Sequence, residues 1–413
     1  MAVGSKRQTV FKILLIVTSV LVFWLVHQLT VNGHYNLLFK SSLHKKILLI
    51  FQDQQLDLPT VVVKKNLKKA QKNVIIVAHG RSGSTITGDL FNHHSSVFYL
   101  FEPLQTVERI SYRENKTSKD DYGNLMVDIL TKIFRCNFGK SVVEDFEHFY
   151  RDPSHLRVSH AIASPPLCPH EMSDPSLCPP MTSESLEKVC ANNYKINVLK
   201  VLMSRIAEGS IYNILAACNP TEVDCKIIFL IRDPRAVIAS SRSVGFFQDP
   251  ASDPSRKNLR EYSHEKCQQT EENLELVKNL PLSWRKRIII QRYEDFAMKP
   301  LDGLLRLFQF AGLSVPDSVK IWLNQTTQPS KDHEELKAAC RGYDPAVCTV
   351  DDSSLAVNRW RWKVPLADID IMEQYCTRVM KMMGYRPVDQ SYELMSNISV
   401  PLFSEEYEVK GWD

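Results

Sequence analysis

The sequence predicts an α/β fold in which helices flank a mainly parallel β-sheet. Short β-branched apolar runs, typical of buried strands, alternate with segments of helical periodicity. The predicted strands cover residues 74–78, 97–101, 196–201, 226–231 and 287–291, and the predicted helices cover 85–93, 235–241, 301–311 and 369–383. Strands that alternate with helices form parallel sheets, so ligands are expected beyond the carboxyl ends of these strands.

The turn after the first predicted strand is the most informative short motif. It reads HGRSGST over residues 79–85 and leads into a predicted helix. A strand that passes through a Gly/Ser turn into a helix directs backbone N–H groups at one spot, which favours an anion. A Walker loop is excluded because Ser84 follows Gly83 directly, without the required lysine. Arg81 supplies a positive charge instead, and an ordinary strand–helix connection is the alternative.

A second motif, IIFLIRDPRAVIASS, covers residues 227–241. Arg232 leaves a buried strand, and Ser240 lies about two turns into the next helix. A guanidinium group and a hydroxyl at one sheet edge can bind a phosphate, whereas helix capping by Asp233 is the simpler interpretation. Taken with the first motif, this one favours a nucleotide that carries phosphates at two separate positions.

The N-terminal residues predict the cellular compartment. Residues 1–12 contain three cations and are expected to be a cytosolic tail, and residues 13–31 form an uncharged apolar segment. No clear cleavage site follows, so an uncleaved signal anchor is favoured over a signal peptide. The positive flank stays in the cytosol and the short span suits a Golgi bilayer, which predicts a single-pass type II protein. The domains expected after the anchor are a stem (32–72), a luminal domain (73–400) and a C-terminal tail (401–413).

Two further features agree with a luminal domain. Glycosylation triplets begin at Asn115, Asn324 and Asn397, and the chain has ten cysteines. No Cys-x-x-Cys pair occurs, so disulfides are favoured over zinc and no metal is expected. A bridge between Cys168 and Cys178 would fix a proline-rich stretch, but the sequence does not determine the pairing.

The size and charge of the chain limit the classes of function. Of 413 residues, about 340 follow the stem, enough for one large or two small cores. The net charge of +4 argues against nucleic acid as the main partner.

The combination of motifs resembles a known family. RSGSTITG (81–88), IRDPRAVIAS (231–240) and QRYEDF (291–296) are similar to motifs of the sulfotransferases. That family uses 3′-phosphoadenosine-5′-phosphosulfate (PAPS). The wider pattern, from residue 79 to RWRW (359–362), resembles the Golgi carbohydrate 6-O-sulfotransferases, which act on galactose, N-acetylgalactosamine or N-acetylglucosamine. The resemblance covers most of residues 73–386.

The resemblance implies roles for individual residues. It assigns the 5′-phosphosulfate end to Arg81, Ser82, Gly83, Ser84 and Thr85, and the 3′-phosphate to Arg232 and Ser240. Residues 353–361 match the segment that covers the cofactor, although Asp351 and Asp352 depart from its usual basic opening. The QRYEDF motif is expected to fix the sheet edge and cap a helix.

Sulfuryl transfer also needs a group that accepts the hydroxyl proton, and Glu102 is the candidate base. It ends the second predicted strand, and a glutamate at the same 21-residue offset from the turn arginine is the base in the similar tyrosylprotein sulfotransferases. Lys200 is the candidate for neutralising the bridging oxygen, as a lysine does in related enzymes. A salt-bridging carboxylate and a strand-end surface lysine are the simpler alternatives. The rival bases are His79, His93 and His94.

Three functions follow from these observations. The leading one is a luminal carbohydrate sulfotransferase whose partners are a glycan acceptor and, through its anchor, the membrane. A kinase is disfavoured by the missing Walker lysine, and an inactive luminal binding protein of the same fold is the remaining alternative. Segments 105–160 and 243–285 are expected to be loops that select the acceptor, either a chondroitin- or keratan-type chain or a glycoprotein glycan. The oligomeric state, including a homodimer, stays open.

Overall fold

A computed structural model describes residues 71–155, 158–169, 177–250, 252–327 and 352–412. All of these residues belong to one compact unit, Lys69–Asp413. The predicted tail and anchor, most of the stem, and Cys340 and Cys348 lie outside the described residues. Within the described ranges, the structure contains no helix that is long and apolar enough to cross a membrane.

A five-stranded parallel sheet forms the centre of the unit. Its strand order is β2-β3-β1-β4-β5, and all four neighbouring pairs are parallel. The strands are β1 (Lys72–Ala78), β2 (Val97–Phe101), β3 (Ile196–Leu202), β4 (Asp224–Ile231) and β5 (Ile288–Arg292). Each of the five predicted strands is confirmed, with ends that differ by at most two residues.

The strands are buried on both faces, which explains their unbroken apolar sequence. Every residue of β2 and β5 is buried, and residues 74–78 of β1 are fully inaccessible. Parallel strands that are covered by helices on both faces lack the alternation of apolar and polar residues found in half-exposed strands. The prediction of an α/β fold with a parallel sheet flanked by helices is confirmed.

Helices connect the strands and cover the sheet. They are α1 (Ser84–Asn92), α2 (Leu104–Arg113), α3 (Lys119–Phe134), α4 (Lys140–Tyr150), α5 (His160–Ala163), α6 (Ser183–Asn193), α7 (Ile211–Ala217), α8 (Pro234–Ser243), α9 (Lys257–Asn279), α10 (Leu282–Arg285), α11 (Tyr293–Met298), α12 (Pro300–Ala311), α13 (Asp317–Thr327), α14 (Ser353–Asn358), α15 (Leu366–Met383) and α16 (Tyr392–Ser396). The four predicted helices are confirmed as α1, α8, α12 and α15.

The prediction that residues 105–160 and 243–285 are loops was wrong. The first segment contains α2, α3 and α4, and the second contains α9. Helix α9 presents Ser263, Thr270 and Asn273 on its buried face, among apolar residues such as Leu259 and Leu274. Buried polar residues at helical spacing conceal the apolar period from which a helix is predicted.

Local chemistry fixes the ends of the helices that bear on the site. Helix α8 begins after Asp233, whose carboxylate accepts from the backbone N–H of Arg235 at 2.9 Å, and Pro234 occupies its first turn. Helices α12 and α15 end at Gly312 and Gly384, both in the left-handed conformation that glycine adopts without strain.

Four disulfides join elements of the described chain. They are Cys136–Cys190, Cys168–Cys178, Cys218–Cys225 and Cys267–Cys376. The bridge between Cys168 and Cys178, a pairing that the sequence left open, is present. Cys267–Cys376 links α9 to α15, which pack against each other. Disulfides are typical of an oxidising compartment.

The strand order determines where a ligand can bind. From β1 the chain moves to β2 on one side of the sheet, and from β4 it moves to β5 on the other side. The neighbouring strands β1 and β4 therefore form a topological switch point, where a crevice opens at their carboxyl ends. Arg81 follows β1 and Arg232 follows β4, so both lie at this crevice.

Candidate active site

The turn between β1 and α1 depends on a glycine. Gly83 has φ +83°, and a Cβ atom at this position would lie 2.3 Å from the ring of Tyr293. A side chain is therefore excluded by backbone conformation and by space. The carbonyl of Gly83 accepts from the backbone and the hydroxyl of Thr87, so the first turn of α1 is fixed.

Arg232 is held at the carboxyl end of β4 by its neighbours. Its two terminal nitrogens donate to the backbone carbonyls of Arg81 at 3.0 Å and Ala356 at 2.8 Å. Its guanidinium carbon lies 4.5 Å from the centre of the Tyr293 ring. The side chain therefore links the β1 turn to α14, the helix within the segment that the resemblance assigns to covering the cofactor.

The two predicted phosphate-binding groups are in direct contact. The Nε atom of Arg81 donates to the Oγ atom of Ser240 at 3.0 Å. This hydrogen bond joins the β1 turn to α8 across the switch point. The geometry therefore brings together residues that the sequence separates by 159 positions.

These residues line a cleft of about 760 Å³. The lining includes Gly83, Ser84 and Thr85 of the β1 turn and Ser353, Ala356 and Trp360 from residues 353–361. The cleft is also lined by six cationic side chains, Arg81, Arg232, Arg242, Arg256, Arg359 and Lys363. Among the lining residues that the structure describes, Asp249 is the single carboxylate. This excess of positive charge favours anionic ligands, although Arg242 and Arg256 also pair with Asp368.

Buried donors in the cleft fit a phosphorylated ligand. Among the described residues, the buried Nε atoms of Arg232 and Arg242 have no hydrogen-bond partner. A buried donor without a partner is costly, and phosphate oxygens would satisfy such groups with charge-assisted hydrogen bonds. The residues present therefore fit a nucleotide that carries several phosphate or sulfate groups.

Glu102 and Lys200 form a buried ion pair at the same edge of the sheet. Lys200 Nζ lies 2.5 Å from Glu102 Oε1, and 2% of the Lys200 side chain is exposed. Glu102 Oε2 accepts from Arg205 at 2.8 Å and from Gln105 at 2.9 Å. Glu102 also has φ +49°, a conformation that is strained for a residue other than glycine. Such strain is concentrated at functional sites.

The ion pair keeps Glu102 ionised. Burial raises the Glu102 pKa, but the ammonium of Lys200, together with Arg205 and a hydrogen bond from Gln105, more than offsets burial and lowers the pKa below its ordinary value. Burial lowers the pKa of Lys200, and Glu102 opposes that change. The carboxylate of Glu102 is therefore ionised at neutral pH, the form that a general base requires.

The structure places some predicted residues outside the cleft. Glu102 follows β2, and β3 separates β2 from β1. Lys200 lies in β3 itself. Neither residue lines the cleft. Ser82 is buried beside a small cavity that it shares with His79. The simpler alternative for Lys200, a surface lysine, is contradicted by its burial, whereas Glu102 does form a salt bridge.

The three rival histidine bases occupy other environments. His79 is buried and bonds Thr270 at 2.9 Å, and burial, aided by Lys266, lowers its pKa to about 3. The ring of His93 stacks on Trp322 at 4.3 Å. His94 bonds the carbonyl of Ser314 at 3.3 Å. None of the three lines the cleft.

Sequence reasoning missed Tyr293, Arg242 and Arg205. The QRYEDF motif does fix the sheet edge, because Glu294 accepts from the backbone of Asp233 at 3.0 Å, but Tyr293 lines the cleft. Arg242 lies two residues after Ser240 in a helix, a proximity that could have revealed it. No local pattern distinguishes Arg205.

Comparisons with known proteins agree with this geometry. Residues 210–384 match the model of the sulfotransferase domain. Human carbohydrate sulfotransferase 3 is 26% identical over 365 residues, which cover 81% of this chain and 71% of that protein. Human carbohydrate sulfotransferase 6 is 26% identical over 363 residues, which cover 81% and 86%.

The chain is therefore similar to carbohydrate sulfotransferases over about four fifths of its length, and part of it matches the sulfotransferase domain. The predicted resemblance is confirmed, and the predicted enzyme class, carbohydrate sulfotransferase, agrees with the names of these relatives. Among solved structures, the sulfotransferase domain of the Synechococcus PCC 7002 olefin synthase is 16% identical, with a TM-score of 0.39, and the match covers 76% of this chain and 97% of that one. A likeness this distant adds nothing to the functional argument.

Proposed function

We propose that this chain transfers the sulfuryl group of PAPS to a sugar hydroxyl. The observation that carries the proposal is the cleft at the switch point, where the start of α1 meets Arg81 and Arg232. Helix N-termini and guanidinium groups are the two devices by which proteins most often bind phosphate. The sequence relationship to carbohydrate sulfotransferases supports a sugar as the acceptor.

The cleft divides between the two ends of the nucleotide. In this proposal, the turn from Arg81 to Thr85 holds the 5′-phosphosulfate, and Arg232 and Ser240 hold the 3′-phosphate. The contact between Arg81 and Ser240 supports neighbouring positions for the two groups, and the unpaired Nε atom of Arg232 supports an anion beside it. PAPS, when bound, supplies the sulfuryl group.

Glu102 and Lys200 supply the remaining chemistry. Glu102 accepts the proton of the attacking hydroxyl, and the positive charge of Lys200 stabilises negative charge near the reacting atoms. The lowered pKa of Glu102 keeps the carboxylate in the form that can accept a proton. Both residues are held by the strand ends, so the protein positions them before the substrates arrive.

The acceptor in this proposal is the 6-hydroxyl of galactose, N-acetylgalactosamine or N-acetylglucosamine. The cationic lining of the cleft favours an anionic polymer, such as a chondroitin- or keratan-type chain, and a glycoprotein glycan is the second choice. We also propose that the enzyme acts in the Golgi lumen from a type II anchor. The four disulfides support an oxidising compartment.

Two measurements on the full chain test the proposal. Calorimetry compares adenosine 3′,5′-bisphosphate with adenosine 5′-monophosphate, and we expect the bisphosphate to bind at least about 100-fold more tightly because it makes the additional contacts of the 3′-phosphate. Labelled sulfate from PAPS is then offered to desulfated chondroitin, desulfated keratan and glycans that end in N-acetylglucosamine. Disaccharide analysis locates the label, which we expect on one hydroxyl at position 6. Binding without transfer to any acceptor would favour the inactive binding protein, and absence of binding would overturn the proposal.

A further inference from the structure

Arg205 connects the candidate base to an exposed carboxylate. It lies in the short helical turn Met203–Arg205 that follows β3. Its Nη1 atom is 2.8 Å from Glu102 Oε2, and its Nε atom is 2.9 Å from Glu108 Oε2. One guanidinium group is therefore shared between a buried carboxylate and an exposed one. The side-chain exposures are 8% for Glu102 and 45% for Glu108.

Both oxygens of Glu102 are fixed, but by groups of different character. Lys200 holds Oε1 from inside β3, and its side chain is nearly inaccessible. Arg205 holds Oε2 from a turn, together with Gln105 of α2, and a quarter of the Arg205 side chain is exposed. A group on an exposed turn can yield to an arriving hydroxyl, whereas a group within a buried strand cannot do so without disturbing the sheet.

We propose that Arg205 is a positioning residue for Glu102. The guanidinium of Arg205 directs the Oε2 atom and keeps the carboxylate ionised, and Glu108 weakens this interaction by sharing the same guanidinium. This inference rests on the proposed role of Glu102 as the base. Arg205 sets the orientation of the carboxylate and its charge state while the acceptor hydroxyl approaches. Glu108 competes for the same guanidinium group and so weakens its hold on Glu102.

The charged and titratable groups around Glu102 define the expected changes. Lys200 approaches from β3, and Arg205 from the turn that follows it, whereas Tyr150 lies on α4 and Tyr99 on β2. Burial raises the pKa of both tyrosines well above the ordinary value, so these side chains stay neutral. Lys200 is the larger of the two favourable charges on Glu102, and Arg205 is the second.

These interactions predict opposite effects of two substitutions. Arg205→Gln removes a nearby positive charge, so the pKa of Glu102 should rise. Glu108→Gln removes a negative charge and leaves the guanidinium undivided, so the pKa of Glu102 should fall. Because the carboxylate form is the base, the acid limb of the kcat profile should move to higher pH in Arg205→Gln and to lower pH in Glu108→Gln.

The experiment measures the titration of Glu102 directly and the rate separately. The full chain is labelled with ¹³C at the glutamate carboxyl carbons, and the signal of Glu102 is identified by its absence from Glu102→Gln. Its titration and the pH dependence of kcat are then recorded for wild type, Arg205→Gln, Arg205→Lys and Glu108→Gln. We expect shifts in the stated directions, a loss of about tenfold in kcat for Arg205→Gln through misplacement of the base, and partial recovery in Arg205→Lys.

The possible failures are distinguishable. If Arg205→Gln leaves both the Glu102 titration and the acid limb where the wild type has them, the role of Arg205 is wrong while the proposed function stands. If the wild type transfers no sulfate, the proposed function fails, and the carboxyl titration still decides whether Arg205 controls Glu102. If Arg205→Gln does not fold, Glu108→Gln decides: a downward shift supports the inference, and an unchanged or upward shift overturns it.

Discussion

The side chain of Arg81 contacts that of Ser240 through a hydrogen bond of 3.0 Å between Nε and Oγ. Arg81 follows β1 and Ser240 lies in α8, after β4, so this bond bridges the crevice between β1 and β4. Arg232 adds a second link by donating to the carbonyl of Arg81 at 3.0 Å. The two motifs that suggested separate phosphate sites therefore form one continuous surface.

Arg232→Lys should weaken nucleotide binding. A lysine ammonium cannot span the carbonyls of Arg81 and Ala356 while offering a further donor, as the guanidinium group does. We expect calorimetry to show a Kd for adenosine 3′,5′-bisphosphate that is about 10- to 100-fold higher. Arg378→Lys, an exposed arginine on α15 that pairs with Glu275, is the matched control and should bind normally. Unchanged affinity in Arg232→Lys would remove Arg232 from the site.

Glu102→Gln should remove sulfate transfer and leave nucleotide binding intact. The amide keeps the shape of the side chain but cannot accept a proton, so kcat should fall by about 10²- to 10⁴-fold. Sulfate transfer and calorimetry, measured on the same preparation, separate the two effects. Glu114→Gln, which changes an exposed carboxylate paired with Lys116, is the control. Full activity in Glu102→Gln would show that another group accepts the proton.

Gly83→Ala should damage both the fold and the site. The new methyl group would meet the Tyr293 ring at 2.3 Å, and alanine would be forced to φ +83°. We expect a loss of more than about 1 kcal/mol in the free energy of unfolding and a loss of bisphosphate binding. Gly123→Ala, within α3, is the control. Its methyl group would lie 3.5 Å from the Cβ atom of Ala207, an ordinary contact, so the substitution should be neutral or stabilising. A stable Gly83→Ala protein that binds nucleotide would refute the assigned turn.

Part of this architecture could be predicted from sequence, for physical reasons. The strands were located because burial on both faces leaves unbroken apolar runs, as in residues 74–78. Helix α9 was missed because Ser263 and Thr270 occupy its buried face. At the site, the sequence predicts Arg81 and Arg232 because each lies in a turn that directly follows a buried strand. Arg205 reaches Glu102 across 103 positions, and no local pattern can show such a contact.

His79 should make the stability of the domain depend on pH. Its pKa is about 3 in the folded protein, mainly through burial, against 6.5 for an ordinary histidine. As the pH falls, the histidine of the unfolded chain binds a proton first, which favours unfolding. The free energy of unfolding should therefore fall between pH 6.5 and 3. Between pH 7 and 5 the expected loss is about 2 kcal/mol. Urea unfolding at pH 7 and pH 5 measures this change in the wild type and in His79→Gln, which retains a hydrogen-bonding side chain. The decrease in the free energy of unfolding should be smaller in His79→Gln by that amount. An equal decrease in both proteins would contradict the assignment.

Transfer of labelled sulfate from PAPS tests the central claim most directly. The full-length wild type and Glu102→Gln are each incubated with labelled PAPS and the panel of desulfated chondroitin, desulfated keratan and glycans ending in N-acetylglucosamine. The account predicts label on a sugar hydroxyl with the wild type and almost none with Glu102→Gln, although both bind adenosine 3′,5′-bisphosphate. A wild-type protein that neither binds this nucleotide nor labels any glycan would contradict the account.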